Sequence, residues 1–83
     1  MPNKLRQLSG DDVIRFCLRY DILVISTKGS HVNLARFKPG QKSFVTTVPL
    51  HKRLDRGTSH GIFKRLLQFI PEQELREFFY TGN

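Results

Sequence analysis

Cysteine occurs once in this chain of 83 residues, at Cys17. No internal disulfide can form, which excludes a cross-linked secreted scaffold and suits a reducing compartment. Cys17 lies among apolar neighbours in a helical pattern, where a cysteine belongs to the core rather than to catalysis. Nowhere do twenty apolar residues run together, so no membrane span is expected. Met1-Pro2-Asn3-Lys4 is not followed by an apolar signal region, and the expected location is the cytoplasm. Internal repeats and low-complexity tracts are absent. Acidic residues are scarce in the middle, where Asp55 is the only one between residues 22 and 71. That scarcity excludes a carboxylate cluster for two-metal hydrolysis there. Three histidines, His31, His51 and His60, match no compact zinc-ligand spacing, and no cysteine pair assists them. Neither a metal nor a cofactor is expected. A chain this short buries only about 60% of its unfolded surface, which leaves little room for a cofactor pocket.

What is abundant is positive charge. The formal net charge is +7, and it is unevenly spread. Residues 1–27 carry +1 and residues 66–83 carry −2. The stretch 28–65 carries +8: Lys28, Arg36, Lys38, Lys42, Lys52, Arg53, Arg56, Lys64 and Arg65 stand against Asp55 alone. Such a field attracts polyanions, nucleic acid first among them. All three histidines lie inside it.

The order of elements follows from periodicity and punctuation. Ser9 precedes Asp11 and Asp12, the signature of a capped helix start with acids at its positive end. Val13, Phe16, Cys17 and Tyr20 recur at helical spacing, predicting a first helix over about residues 9–20 with that stripe buried. A β-branched run from Ile22 to Thr27 predicts a strand. A second strand begins at His31. The Lys38-Pro39-Gly40-Gln41 turn signal leads into a third, Ser43 to Val48, stopped by Pro49. Short connections predict antiparallel hairpins. Gly57-Thr58 opens a second helix, with Thr58 as its expected cap. Ile62, Phe63, Leu66, Leu67 and Ile70 form its expected buried stripe. Pro71 restarts a short third helix. The expected fold is α+β, one domain over residues 1–83. Its core spans about 9–70, with both main helices on one face of a three-stranded antiparallel sheet, and a C-terminal helical appendage covers about 71–80.

Lys28-Gly29-Ser30-His31 is the stretch suited to chemistry. Glycine and serine permit a tight turn between two strands. The turn holds an imidazole beside a lysine at a strand end. Histidine is the one side chain whose ordinary pKa, about 6.5, lies near neutrality.

Taken together, Gly29-Ser30-His31, Val48-Pro49-Leu50-His51, and Gly57-Thr58 followed by Ile62, Lys64 and Leu67 resemble the HicA (YcfA-like) toxin family of small mRNA interferases. The resemblance runs from Ser9 to about Phe79. It implies an α-β-β-β-α fold like that of a double-stranded-RNA-binding domain, catalysis at His31, and a second family histidine at His51. It also implies an RNA substrate and a HicB-like antitoxin partner covering the active site. Many members carry two consecutive histidines after the serine, where this chain has Val32 second. Many also have a basic residue in the first turn of the second helix, where this chain has His60 followed by Gly61. Ribonuclease chemistry needs a group to take the 2′-hydroxyl proton, cations for the phosphorane, and a proton for the leaving 5′-oxygen. His31 suits the proton transfers, with His51 as a possible second carrier, and Lys28 suits the developing charge. Gly29, Ser30, Lys52, Arg53, Lys64 and Arg65 complete the expected RNA-binding set, with Gly57 and Thr58 offering a helix N-terminus for a phosphate. His60 is expected to face solvent. A non-catalytic RNA-binding module of the same fold remains the alternative.

Overall fold

The computed structural model describes residues 2–82. Along them run β1 (Pro2–Leu5), α1 (Gly10–Cys17), a 3₁₀ turn (Leu18–Tyr20), β2 (Ile22–Lys28), β3 (His31–Lys38), β4 (Gln41–Pro49), α2 (Arg56–Leu66), α3 (Glu72–Phe79) and β5 (Tyr80–Gly82). No helix among the described residues is long and apolar enough to cross a membrane.

Ser9 starts α1 through a reciprocal cap. Its Oγ accepts from the Asp12 N–H and its own N–H donates to Asp12 Oδ2, each at 3.0 Å. Two of the orphan donors at the helix start are thereby satisfied. The α-helix is shorter than the expected 9–20: it ends at Cys17, and Leu18–Tyr20 tighten into the 3₁₀ turn. Asp21, in the left-handed region at φ 60°, then reverses the chain into β2.

The three long strands form a sheet of order β2-β3-β4, antiparallel throughout. Side chains alternate across it. On β3, Val32 and Leu34 are buried against the helices, while His31 and Asn33 belong to the opposite, helix-free face. Both outer strands depart from regular register beside Leu34: Ile25 is the extra residue on β2 and Val45 on β4. Val13, Phe16 and Cys17 from α1, and Ile62, Phe63 and Leu66 from α2, join Ile22, Val32, Leu34, Val45 and Val48 in one core. The architecture is therefore α+β, with α1 and α2 on one face of a three-stranded antiparallel sheet. Burial pushes the Cys17 thiol up to about 12, so it is inert at neutral pH.

Three expectations are corrected. Leu67, the C-terminal cap of α2, is 40% exposed rather than buried, whereas Ile62, Phe63, Leu66 and Ile70 of the same stripe are buried. Tyr20 is only half-buried, its hydroxyl donating to Glu74 Oε1 at 2.5 Å. The C-terminal helix is no appendage: Leu75 and Phe79 of α3 are fully buried, and Phe79 meets the Phe63 ring edge-on at 5.6 Å. Truncating such a residue costs about 3–5 kcal/mol. The pairing of β1 with β5, continued by the Arg6 N–H on the Phe79 carbonyl at 2.7 Å, lies outside the expected elements.

Candidate active site

The β2–β3 hairpin closes in two residues. Gly29 has φ +61° at the first central position, the place where a tight hairpin turn requires glycine. Lys28 and His31 are the last paired residues of their strands. His31 is in turn opposite Pro49 on β4. Directly opposed residues share a face, so Lys28, His31 and Pro49 form a row across the helix-free side of the sheet. Lys28, Gly29, Ser30 and His31 are all exposed.

The loop after β4 is tied to this turn. The Leu50 N–H donates to the Ser30 carbonyl at 2.6 Å. One residue on, the His51 carbonyl accepts the Gly10 N–H at 3.0 Å, and the Leu54 N–H reaches the Leu8 carbonyl at 2.8 Å. At Gly10 a Cβ would overlap the Pro49 carbonyl, so the start of α1 sits hard against this loop. The backbone thus brings the His31 and His51 segments to one end of the sheet. His51, Lys52 and Arg53 are exposed there.

The start of α2 differs from the expectation. Asp55, not Thr58, is the cap. Its carboxylate accepts the Thr58 N–H at 2.7 Å and the Thr58 hydroxyl at 3.1 Å. These two hydrogen bonds hold the Asp55 carboxyl below its usual range, with the Gly57 N–H and nearby His51 adding to the effect. The donors expected to face a phosphate at Gly57-Thr58 therefore already serve an internal carboxylate. Gly57 and Thr58 instead line a groove of about 330 Å³ between α2 and β4, with Thr46, Thr47, Gly61 and Arg65. Lys64 is exposed but does not line that groove. His60 is also exposed, its ring 6.2 Å from that of Phe63.

One polar feature beside the histidine was missed. Asn33, two residues along β3, accepts from Thr47 Oγ1 at 2.5 Å and donates to Ser26 Oγ at 2.9 Å. This row adjoins Lys28, His31 and Pro49 on the same face and locks the three strands laterally. Its signal was the two-residue alternation from His31 to Asn33. No group of three or more metal-ligating side chains occurs among the described residues. Comparison with family models, curated proteins and solved structures finds no match to this chain.

Proposed function

We propose that this chain is a HicA-like toxin of a toxin–antitoxin pair: a cytoplasmic, metal-independent endoribonuclease that cleaves mRNA through the substrate's own 2′-hydroxyl. The observation that carries the reading is the exposed Lys28–His31 pair, set by a two-residue turn within the +8 segment. Simple phosphate binding has no need of an imidazole in that position.

In this reading the 2′-oxygen attacks the phosphorus as His31 takes or relays its proton. The bond from phosphorus to the 5′-oxygen breaks, and that oxygen gains a proton. The products are a 2′,3′-cyclic phosphate and a 5′-hydroxyl. His51 is the candidate for the second proton transfer, since its loop is bonded to the turn that carries His31. Lys28 offsets the charge that gathers on the phosphorane oxygens. A HicB-like antitoxin would silence the enzyme by covering His31.

The test is cleavage of RNA by the purified chain and by His31→Ala, in the presence of a chelator. Cleavage by the first alone supports the reading. RNA binding without cleavage by either supports the alternative, a non-catalytic RNA-binding module, which the spread of cations over the surface would also serve.

A further inference from the structure

At the end of the sheet away from His31, a cleft is lined by Arg36, Lys38, Gln41, Ser43, Gln68 and Phe69. It has two cations, three neutral hydrogen-bonding side chains and no acid. Arg36 is half-buried and held from one side only. Its Nη1 donates to the Phe69 carbonyl at 3.1 Å, and its guanidinium lies 6.0 Å from the Phe69 ring centre. Its Nε is buried and has no hydrogen-bond partner among the described residues. The ion pairs formed among those residues involve Arg15 and Arg76, none of them Arg36.

This geometry is informative because of the shape of guanidinium. Nε and Nη2 point their N–H groups along one edge, matched to two oxygens of one oxyanion. Phe69 engages the opposite nitrogen, and the Nε end of that edge has no partner among the described residues; because Nε is covered, an oxyanion reaches it only as the side chain shifts into the cleft. A buried charged donor without an acceptor is costly, so a ligand that supplies one gains more than it would at a solvated lysine. Lys38 and the Ser43 hydroxyl stand in the same cleft to meet further oxygens.

We propose that the Arg36 cleft is a phosphate-binding subsite for a polynucleotide chain, remote from the bond that is cleaved. This rests on the RNA reading for the carrier of the phosphate, and it extends that reading to substrate length. Arg36 is five residues from His31 along β3, about 17 Å at the rise of an extended strand, and on the opposite, helix-bearing face, paired with buried Ile22, so a chain joining the two must round an edge of the sheet. A dinucleotide held at His31 falls short of Arg36, whereas an octanucleotide reaches it. The cleft and the groove lined by Thr46, Thr47 and Arg65 both border β4, and neither is lined by an acid. Together they offer the intervening backbone a path without like-charge repulsion.

The test follows the Arg36 Nε–H resonance in the full chain by nuclear magnetic resonance, first with inorganic phosphate and then with the octanucleotide. Both should shift it. Arg36→Lys keeps the charge but removes the fork, and should weaken octanucleotide binding about tenfold while leaving dinucleotide binding unchanged. Gln68→Glu, an exposed substitution that spares the Phe69 contact, should weaken octanucleotide binding as well, which guards against a folding defect in the first variant. If the wild-type chain binds the octanucleotide with no response at Arg36, the subsite is wrong while the RNA reading stands. If it binds no RNA at all, the RNA reading itself fails. A response to inorganic phosphate with unchanged octanucleotide affinity in both variants would overturn the polynucleotide assignment. So would a response to a hexaglutamate peptide with none to RNA, which would point instead to a carboxylate of a protein partner.

Discussion

Lys28 and His31 face each other across the Gly29-Ser30 turn, as the last paired residues of β2 and β3, on the side of the sheet that the helices leave open. A cation and a titratable ring are thereby fixed at the spacing of adjacent strands, about 5 Å between backbones.

The first prediction concerns catalysis. His31→Ala should lose about 10²–10⁴ in cleavage rate yet keep RNA affinity, because nine cations of the 28–65 segment remain. A 2′-deoxy nucleotide at the scissile position should block cleavage by the wild-type chain and spare binding. His51→Ala apportions the second proton transfer: a comparable loss makes it a partner, a small one makes it structural. Cleavage that survives the deoxy substitution would remove His31 from the mechanism.

The turn glycine and a helix glycine should respond in opposite ways. Gly29→Ala places a side chain at φ +61° and should cost about 1–2 kcal/mol. Gly61→Ala lies inside α2, where a Cβ meets nothing within 4 Å. It should stabilise the fold by about 0.5–1 kcal/mol. Urea unfolding of the two variants measures both. Equal effects of the same sign would contradict the turn geometry.

Stability should fall at both ends of the pH scale. Hydrogen bonds from Thr58 depress the Asp55 pKa, and hydrogen bonds from Ser9 depress that of Asp12, both from 3.8. A depressed acid contributes stability above its unfolded pKa and loses it as pH falls through the folded value, so this loss occurs below about pH 4. The hydrogen bond to Glu74 raises the Tyr20 pKa above 10. That contribution is full below pH 10 and disappears as pH rises through the raised value. Asp55→Ala should flatten the acid limb and Tyr20→Phe the alkaline limb in thermal melts taken across pH.

Binding should weaken steeply with salt. Log affinity for single-stranded RNA is expected to fall with log salt at about −0.7 per phosphate neutralised. Replacing Lys52 and Arg53, or Lys64 and Arg65, should flatten the slope, since all four are exposed. Filter binding across a salt series reads this directly, and an affinity indifferent to salt would refute a polyanion surface.

An antitoxin that covers His31 should compete with RNA, through a contact surface acidic enough to meet the +8 segment. Displacement of labelled RNA by the partner checks this. A ternary complex with both affinities unchanged would mean inhibition from another surface.

The hairpins were legible because their information is local. β-Branched runs, Gly29 at its turn and Pro39-Gly40 at the next define three strands without any distant partner. Ser9 and Asp12 announce the start of α1 in the same way. By residue type Asp55 and Thr58 are both good caps, and the structure uses Asp55. The choice depends on where Arg56 and Gly57 enter the helix, which neighbouring residues leave open. The β1–β5 pair joins short segments from opposite ends of the sequence, so neither segment carries a pattern of its own. Arg36 was the least legible. In the sequence it is one of nine cations in the 28–65 stretch, whereas its hydrogen bond goes to a carbonyl 33 residues away. The turn that carries the candidate chemistry was readable from its residues, and the cleft at the far end was not.

The two irregularities in the sheet bear on how the molecule behaves in a crowd. β2 is an outer strand, and Leu23, Val24 and Ile25 on it are 37–47% exposed. An apolar outer strand invites another chain to pair along it and start a fibril. The extra residue Ile25 spoils the even spacing of N–H and carbonyl groups along that strand, and Val45 does the same on β4. The irregular partners flank Leu34, on the one strand whose two sides are already taken. Each open side is thus a poor template, and self-association is discouraged by backbone geometry where the run Ile22–Thr27 offers no charge to do it.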